Sequence, residues 1–93
     1  MKTVYLTGPT PGTPFNDGLY TRAETQLQKA GYIVINPAKA EHLKTRRQQV
    51  AAVATRADLI CALDIHDGRH IIRVANELDI PVRTLNQIAG AKP

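Results

Sequence analysis

The chain has 93 residues, of which 43% are hydrophobic and 22% charged, with a net charge of +4 and one cysteine. That length supports one domain with a modest core, and a lone cysteine excludes an internal disulfide framework. No apolar run approaches the roughly 20 residues that cross a bilayer, and no basic-then-apolar leader opens the sequence. A cytoplasmic protein without membrane attachment is therefore expected.

The first expected strand is TVYLT at 3–7, β-branched and aromatic, stopped by Gly8 and Pro9. Residues 8–14 contain three prolines and suit neither a helix nor a central strand. Asn16 or Asp17 is the expected N-cap of a helix carrying Leu19, Tyr20, Ala23, Leu27 and Ala30 at helical spacing, with Gly31 as its stop. The apolar run YIVI at 32–35 reads as a strand covered on both faces, ended by Asn36 and Pro37. A second helix is expected over about 41–57, with Leu43, Val50, Val53, Ala54 and Ala57 on one side. A third buried strand at 59–63, a third helix at about 69–78 and a fourth strand at 80–85 complete the pattern.

This alternation predicts an α/β fold, a flavodoxin-like or Rossmann-like three-layer sandwich. Its four-stranded parallel sheet has the order 2-1-3-4, with about three helices. A single domain is expected over 1–86, followed by a flexible tail at 87–93. The switch point of such a sheet lies between strands 1 and 3. A ligand crevice is therefore expected from residues 8–16, the turn at 64–70, and Asn36 with Pro37.

The proline-rich loop argues against a phosphate cradle, because Pro9, Pro11 and Pro14 have no N–H to aim at an anion. Neither a Gly-Lys-Ser/Thr ending nor a G-x-G-x-x-G spacing is present. The loop reads better as a rigid wall over a flat ligand. Gly8 and Gly12 permit close approach, and Thr7, Thr10 and Thr13 offer hydroxyls.

The turn after the third strand carries Asp64, His66, Asp67, Gly68, Arg69 and His70. A zinc site wants four well-placed ligands. Gly68 breaks the helical relation between His66 and His70, and Cys61 lies inside a strand as a packing thiol, so neither a metal nor another cofactor is expected. Asp64 and Asp67 suit general acid–base work or acceptance from ribose hydroxyls, with strand-end and N-cap duty as the structural alternative. Arg69 at a helix start opposes the helix dipole, which hints at an anionic ligand or a partner surface. The residues expected to face a ligand are Gly8, Pro9, Thr10, Gly12, Asn36, Pro37, Asp64, His66, Asp67, Gly68 and Arg69.

The basic side chains Lys39, Lys44, Arg46, Arg47 and Arg56 offer a surface to nucleic acid. With one Phe, three Tyr and no Trp, however, there is little on which bases can stack. A solvated basic helix face is the favoured reading, ahead of a small phosphate-bearing ligand and of nucleic acid. The Arg46–Arg47 pair reaches a phosphate if the second helix borders the crevice.

Four segments in order carry a family resemblance: TVYLTGP at 3–9, GYIVINP at 31–37, Ala57-Asp58 before an apolar strand, and IRVANELDIPV at 72–82. Together they resemble the nucleoside 2-deoxyribosyltransferase-like superfamily, in its short phage and prophage branch of DUF4406 type. The resemblance covers residues 2 to about 85 and implies a flavodoxin-like fold that cleaves the N-glycosidic bond of a deoxynucleoside or deoxynucleotide. It also implies a glutamate nucleophile at the start of the third helix, assisted by an aspartate in the preceding helix and a tyrosine or similar group near the first loop. The logic is that of retaining glycoside hydrolysis, a carboxylate capturing an oxocarbenium-like centre.

In this chain the glutamate position falls on Ile71. The aspartate position falls at or near Val50, with Gln48 and Gln49 as its polar neighbours. The leading expectation is thus a nucleoside- or nucleotide-binding domain that is not a standard transferase. The alternatives are an N-glycosidic hydrolase or transferase using Asp64 or Asp67, and a phage-type interaction protein with a basic surface. A homodimer is the default assembly for so small a domain, in the cytoplasm of a bacterium or a phage-infected host.

Overall fold

The computed structural model describes residues 2–40 and 43–89. Four parallel strands form one sheet in the order β2-β1-β3-β4, as the alternation predicts. They are β1 (Thr3–Thr7), β2 (Ile33–Ile35), β3 (Leu59–Ala62) and β4 (Val82–Thr84). The central pair β1–β3 runs in register from Val4 opposite Leu59 to Thr7 opposite Ala62.

Four helices cover the sheet: α1 (Pro14–Lys29), α2 (Arg46–Arg56), α3 (Arg69–Glu77) and α4 (Leu85–Ala89). The side-chain alternation of the strands sorts the core into two halves. Val4, Leu6 and Cys61 meet Tyr20, Ala23 and Leu27 of α1, with Leu85, Ile88 and Ala89 of α4 beside them. Tyr5, Ile35 and Ile60 face the other way, onto Ala52 and Val53 of α2 and Ile71 and Ala75 of α3. The three-layer architecture follows from these two faces.

The structure corrects several boundaries. Helix α1 begins at Pro14 and is capped by Thr13, whose hydroxyl accepts the Asn16 N–H at 3.2 Å; neither Asn16 nor Asp17 is the cap. Thr13 before a proline at the first helical position is the stronger start, because the proline has no N–H to leave orphaned. Helix α2 begins at Arg46, behind a capping box in which Thr45 and Gln48 satisfy each other's backbone N–H groups. Two residues of its expected first turn, 41 and 42, lie outside the described residues. Ala52, not Ala54, joins the core from this helix, and Ala30 is exposed as the C-cap of α1.

Strand β2 lies at the edge of the sheet; Ile35 packs into one half of the core and Val34 against the other, so both faces are covered there, while Ile33 is 48% exposed. Strand β4 ends at Thr84, and Leu85 opens α4, a helix the periodicity did not disclose. Residues 87–89 of the expected tail belong to that helix, and 90–93 lie outside the described residues. No described helix is long and apolar enough to cross a membrane.

Candidate functional site at the switch point of the sheet

The carboxyl ends of β1 and β3 part at Thr7 and Ala62 into two connections that are tied down by different means. The loop after β1 is fastened to α1. The Tyr20 hydroxyl donates to the Pro9 carbonyl at 2.9 Å, the Asn16 amide donates to the Thr10 carbonyl at 2.9 Å, and the Gly12 N–H donates to Asp17 Oδ1 at 2.8 Å. Gly12 has φ +126°, a conformation that disfavours any side chain. Asn16 and Asp17 therefore order the loop instead of capping the helix.

The turn after β3 is built on Asp64. Its Oδ1 accepts the Asp67 N–H at 3.0 Å and its carbonyl accepts the Gly68 N–H at 2.9 Å, an Asx-type turn. The two connections pack so closely that a Cβ on Gly68 would stand 2.9 Å from Thr7 Cγ2.

Between them lies a cleft of about 170 Å³. Thr7, Gly8 and Thr10 form one wall, and Asp67, Gly68 and Ile71 the other. Tyr5 and Tyr20 reach it from the sheet and α1, Pro37 from the end of β2, and Arg46 and Gln49 from the start of α2. A second recess of about 270 Å³ shares Thr10, Pro11, Pro37 and Gln49 with the cleft and adds Gly12 and Lys44. Together they reach the lower part of the roughly 300–1,000 Å³ range of small-molecule sites.

The cleft has an uneven charge. Asp67 and Arg46 supply opposite signs at its lining. Burial pushes the Tyr20 phenol up to about 12, and the carboxylates of Asp67 and Asp17 add to the shift. Tyr5 is also pushed up, by burial first and then by Tyr20. Both phenols are therefore neutral hydrogen-bonding groups at physiological pH. His70 lines the cleft as well, and burial followed by the charges of Arg46 and Arg73 lowers its pKa. Its Nε2 is buried with no hydrogen-bond partner among the described residues.

Of the residues expected from sequence, Gly8, Thr10, Pro37, Asp67 and Gly68 line the cleft, and Gly12 lines the adjoining recess. Pro9 accepts from Tyr20, while Asn36 is buried, donating to Glu24 at 3.1 Å and accepting the Ala38 N–H at 2.9 Å. Asp64 and His66 point away, lining a recess on the α1–α4 side with Leu19, Arg22 and Leu85. Arg69 lies on the α2–α3 side, where one guanidinium nitrogen donates to the His66 carbonyl at 3.0 Å. Among the described residues no three His, Cys, Asp or Glu side chains gather as metal ligands.

Sequence reasoning missed Tyr5 and Tyr20 as cleft residues because both occupy apolar-pattern positions. The available signal was the phenol itself, which asks for a polar neighbour when buried.

A parallel α/β domain with a cleft at the switch point of its sheet is the class this geometry defines. The chain belongs to the DUF4406 family, a domain of unknown function, with the match spanning residues 2–67 and so more than half of its length. No curated protein and no solved structure matches it.

Proposed function

We propose that the cleft binds a nucleoside or nucleotide, and that the domain is not a standard deoxyribosyltransferase. The observation that carries this reading is the composition of the cleft wall. Ile71, the position at which the resemblance to the nucleoside 2-deoxyribosyltransferases calls for a glutamate, lines the cleft with an apolar side chain. Beside Val50, at or near which the resemblance calls for an aspartate, Gln49 lines the cleft, and its amide donates to the Leu43 carbonyl at 3.1 Å. The apolar side chain of Ile71 with the backbone at Gly8 and Gly68 suits a flat base or a sugar face, while Thr10 and Tyr5 supply hydroxyls for orientation.

The test is an NMR titration with deoxynucleosides and their 5′-monophosphates, followed by assay for free base. Binding without base release is expected, with amide shifts at 8–12 and 67–71. No shift at those positions with any member of the panel overturns the reading.

A second reading is N-glycosidic cleavage by Asp67, favoured over cleavage by Asp64 because Asp67 lines the cleft and Asp64 does not. In that reaction the carboxylate attacks the anomeric carbon as the C–N bond breaks, the base leaves with a proton taken from solvent, and water then displaces the carboxylate and returns a proton to solvent. Base release that disappears in Asp67→Asn would establish it.

A further inference from the structure

Beside the cleft, α3 and the start of α2 line an open recess of about 640 Å³, nearly four times the volume of the cleft itself. Its lining includes Arg46 from α2 and Arg69 and Arg73 from α3, with Glu77 as its carboxylate. None of these three guanidiniums has a carboxylate within 4.0 Å among the described residues. Arg46 and His70 line both the recess and the cleft, so a single extended ligand can occupy the two at once.

We propose that this recess holds the oligophosphate tail of a nucleotide whose nucleoside part lies in the cleft. The inference rests on the nucleoside reading of the cleft for the orientation of the ligand, though not for the recess as an anion site.

The chemistry favours more than one phosphate. A guanidinium forms a two-pronged donor matched to phosphate oxygens, and one such group is enough to seat a single phosphate. Three guanidiniums against one carboxylate in the lining of one open recess instead match an anion with several charges. The exposure of Arg69 and Arg73 suits a partly hydrated polyphosphate, since neither the ligand nor the arginines need be fully desolvated. These donors are side chains, so the proline-rich loop is not needed as a phosphate cradle. His70, which lines both the recess and the cleft, has a buried Nε2 with no hydrogen-bond partner among the described residues and is a further polar group at the junction.

The experiment compares inorganic phosphate, pyrophosphate and triphosphate, and then nucleoside mono-, di- and triphosphates, at constant ionic strength. Affinity is expected to rise about tenfold for each added phosphate, with shifts at 46, 69–73 and 76. The double variant Arg69→Gln/Arg73→Gln flattens this ladder while leaving nucleoside binding in the cleft unchanged. A double variant of equal charge loss elsewhere, Lys29→Gln/Arg56→Gln, keeps the ladder.

Bound polyphosphate also raises the midpoint of His70, which is faced by Arg46, Arg69, Arg73 and Glu77 in the recess and by Asp67 in the cleft. A flat ladder in the unmodified protein overturns the proposal, as does an equal loss in both double variants. So does an oligonucleotide that binds more tightly than triphosphate with shifts spreading to 44 and 47. If the inorganic ladder holds but no nucleoside binds, the recess stands as a polyphosphate site and the nucleoside reading of the cleft falls.

Discussion

Replacing Gly68 by alanine probes the closest approach in the site. Gly68 has φ −91° and ψ 5°, a conformation open to alanine, so the backbone itself is unstrained by the change. The whole cost is contact. The new Cβ would lie 2.9 Å from the Asp64 carbonyl oxygen, 2.9 Å from Thr7 Cγ2 and 3.2 Å from Thr7 Oγ1. None of these yields easily: Thr7 is only 6% exposed on a central strand, and the Asp64 carbonyl accepts the Gly68 N–H at 2.9 Å. Relief of the overlap must stretch that hydrogen bond or push the two connections apart.

Overpacking of this kind costs about 1–3 kcal/mol, and immovable neighbours favour the upper half, about 2–3 kcal/mol. For a domain of this size each kcal/mol moves Tm by about 4–8 °C, so a fall on the order of 10–20 °C is expected. Gly18→Ala serves as the control. Nothing lies within 4 Å of its added Cβ, and in a helix interior the change gains about 0.5–1 kcal/mol. Thermal melts followed by circular dichroism, with urea unfolding at 25 °C, measure both variants. A Gly68→Ala protein that melts at or above the wild-type temperature, while Gly18→Ala rises as expected, would refute the close approach of loop and turn.

Thr45→Ala removes one half of the α2 capping box and should lower stability by about 1 kcal/mol in urea unfolding. Asp79, at φ +58° just beyond α3, is in the left-handed region, so Asp79→Gly should raise stability by about 0.5–1 kcal/mol in the same assay. Cys61 is fully buried and its thiol is pushed up to about 12, so a disulfide reagent at pH 8 should leave native protein unmodified and react fully in denaturant. His70 titrates below its unfolded value of 6.5, which means the unfolded chain binds more protons between the two values. Its contribution to stability is therefore complete above pH 6.5 and is lost as pH falls toward the folded value. Urea unfolding from pH 8 to 5 should show that decline, and His70→Gln should flatten it.

The sheet was readable because its signal is local and redundant: apolar runs at 3–7 and 59–63 bounded by turn residues fix the central pair, and alternation with helices fixes parallel pairing. The helix starts carried equally local signals that residue type obscured. Asn16 and Asp17 are strong N-cap residues in isolation, but Thr13 before Pro14 and Thr45 three residues before Gln48 fit the cap geometry better. The edge position of β2 was not readable, since an apolar YIVI run looks the same whether or not a second strand flanks it. Only the sheet order leaves Ile33 at an edge.

The candidate site was legible as a place and not as a set of side chains. Five of the eleven named residues line the cleft because glycine and proline mark where the backbone turns, and turns at strand ends are where the sheet opens. The Asx turn then sends neighbouring carboxylates to opposite sides. Asp64 uses its own oxygens to close the turn and faces α1 and α4, leaving Asp67 to face the cleft. Sequence gives these two aspartates the same apparent role; the turn separates them.

Ile71 shows how the same constraint shapes the chemistry open to this cleft. It is 4% exposed, packs into the core formed by β1, β3, α2 and α3, and also lines the cleft. One side chain thus serves as core filling and as site wall. A carboxylate in its place would face desolvation from the core side, which disfavours the charged form and demands compensating donors. The phenol of Tyr5 and the guanidinium of Arg46 are donors of that kind in the same cleft lining, while the Tyr20 proton is already given to the Pro9 carbonyl. The proposed recognition of a flat, partly apolar ligand would use this arrangement as it stands. Covalent chemistry at C1′ would have to come from Asp67, on the turn and not on the helix, and therefore along a different line of approach to the sugar.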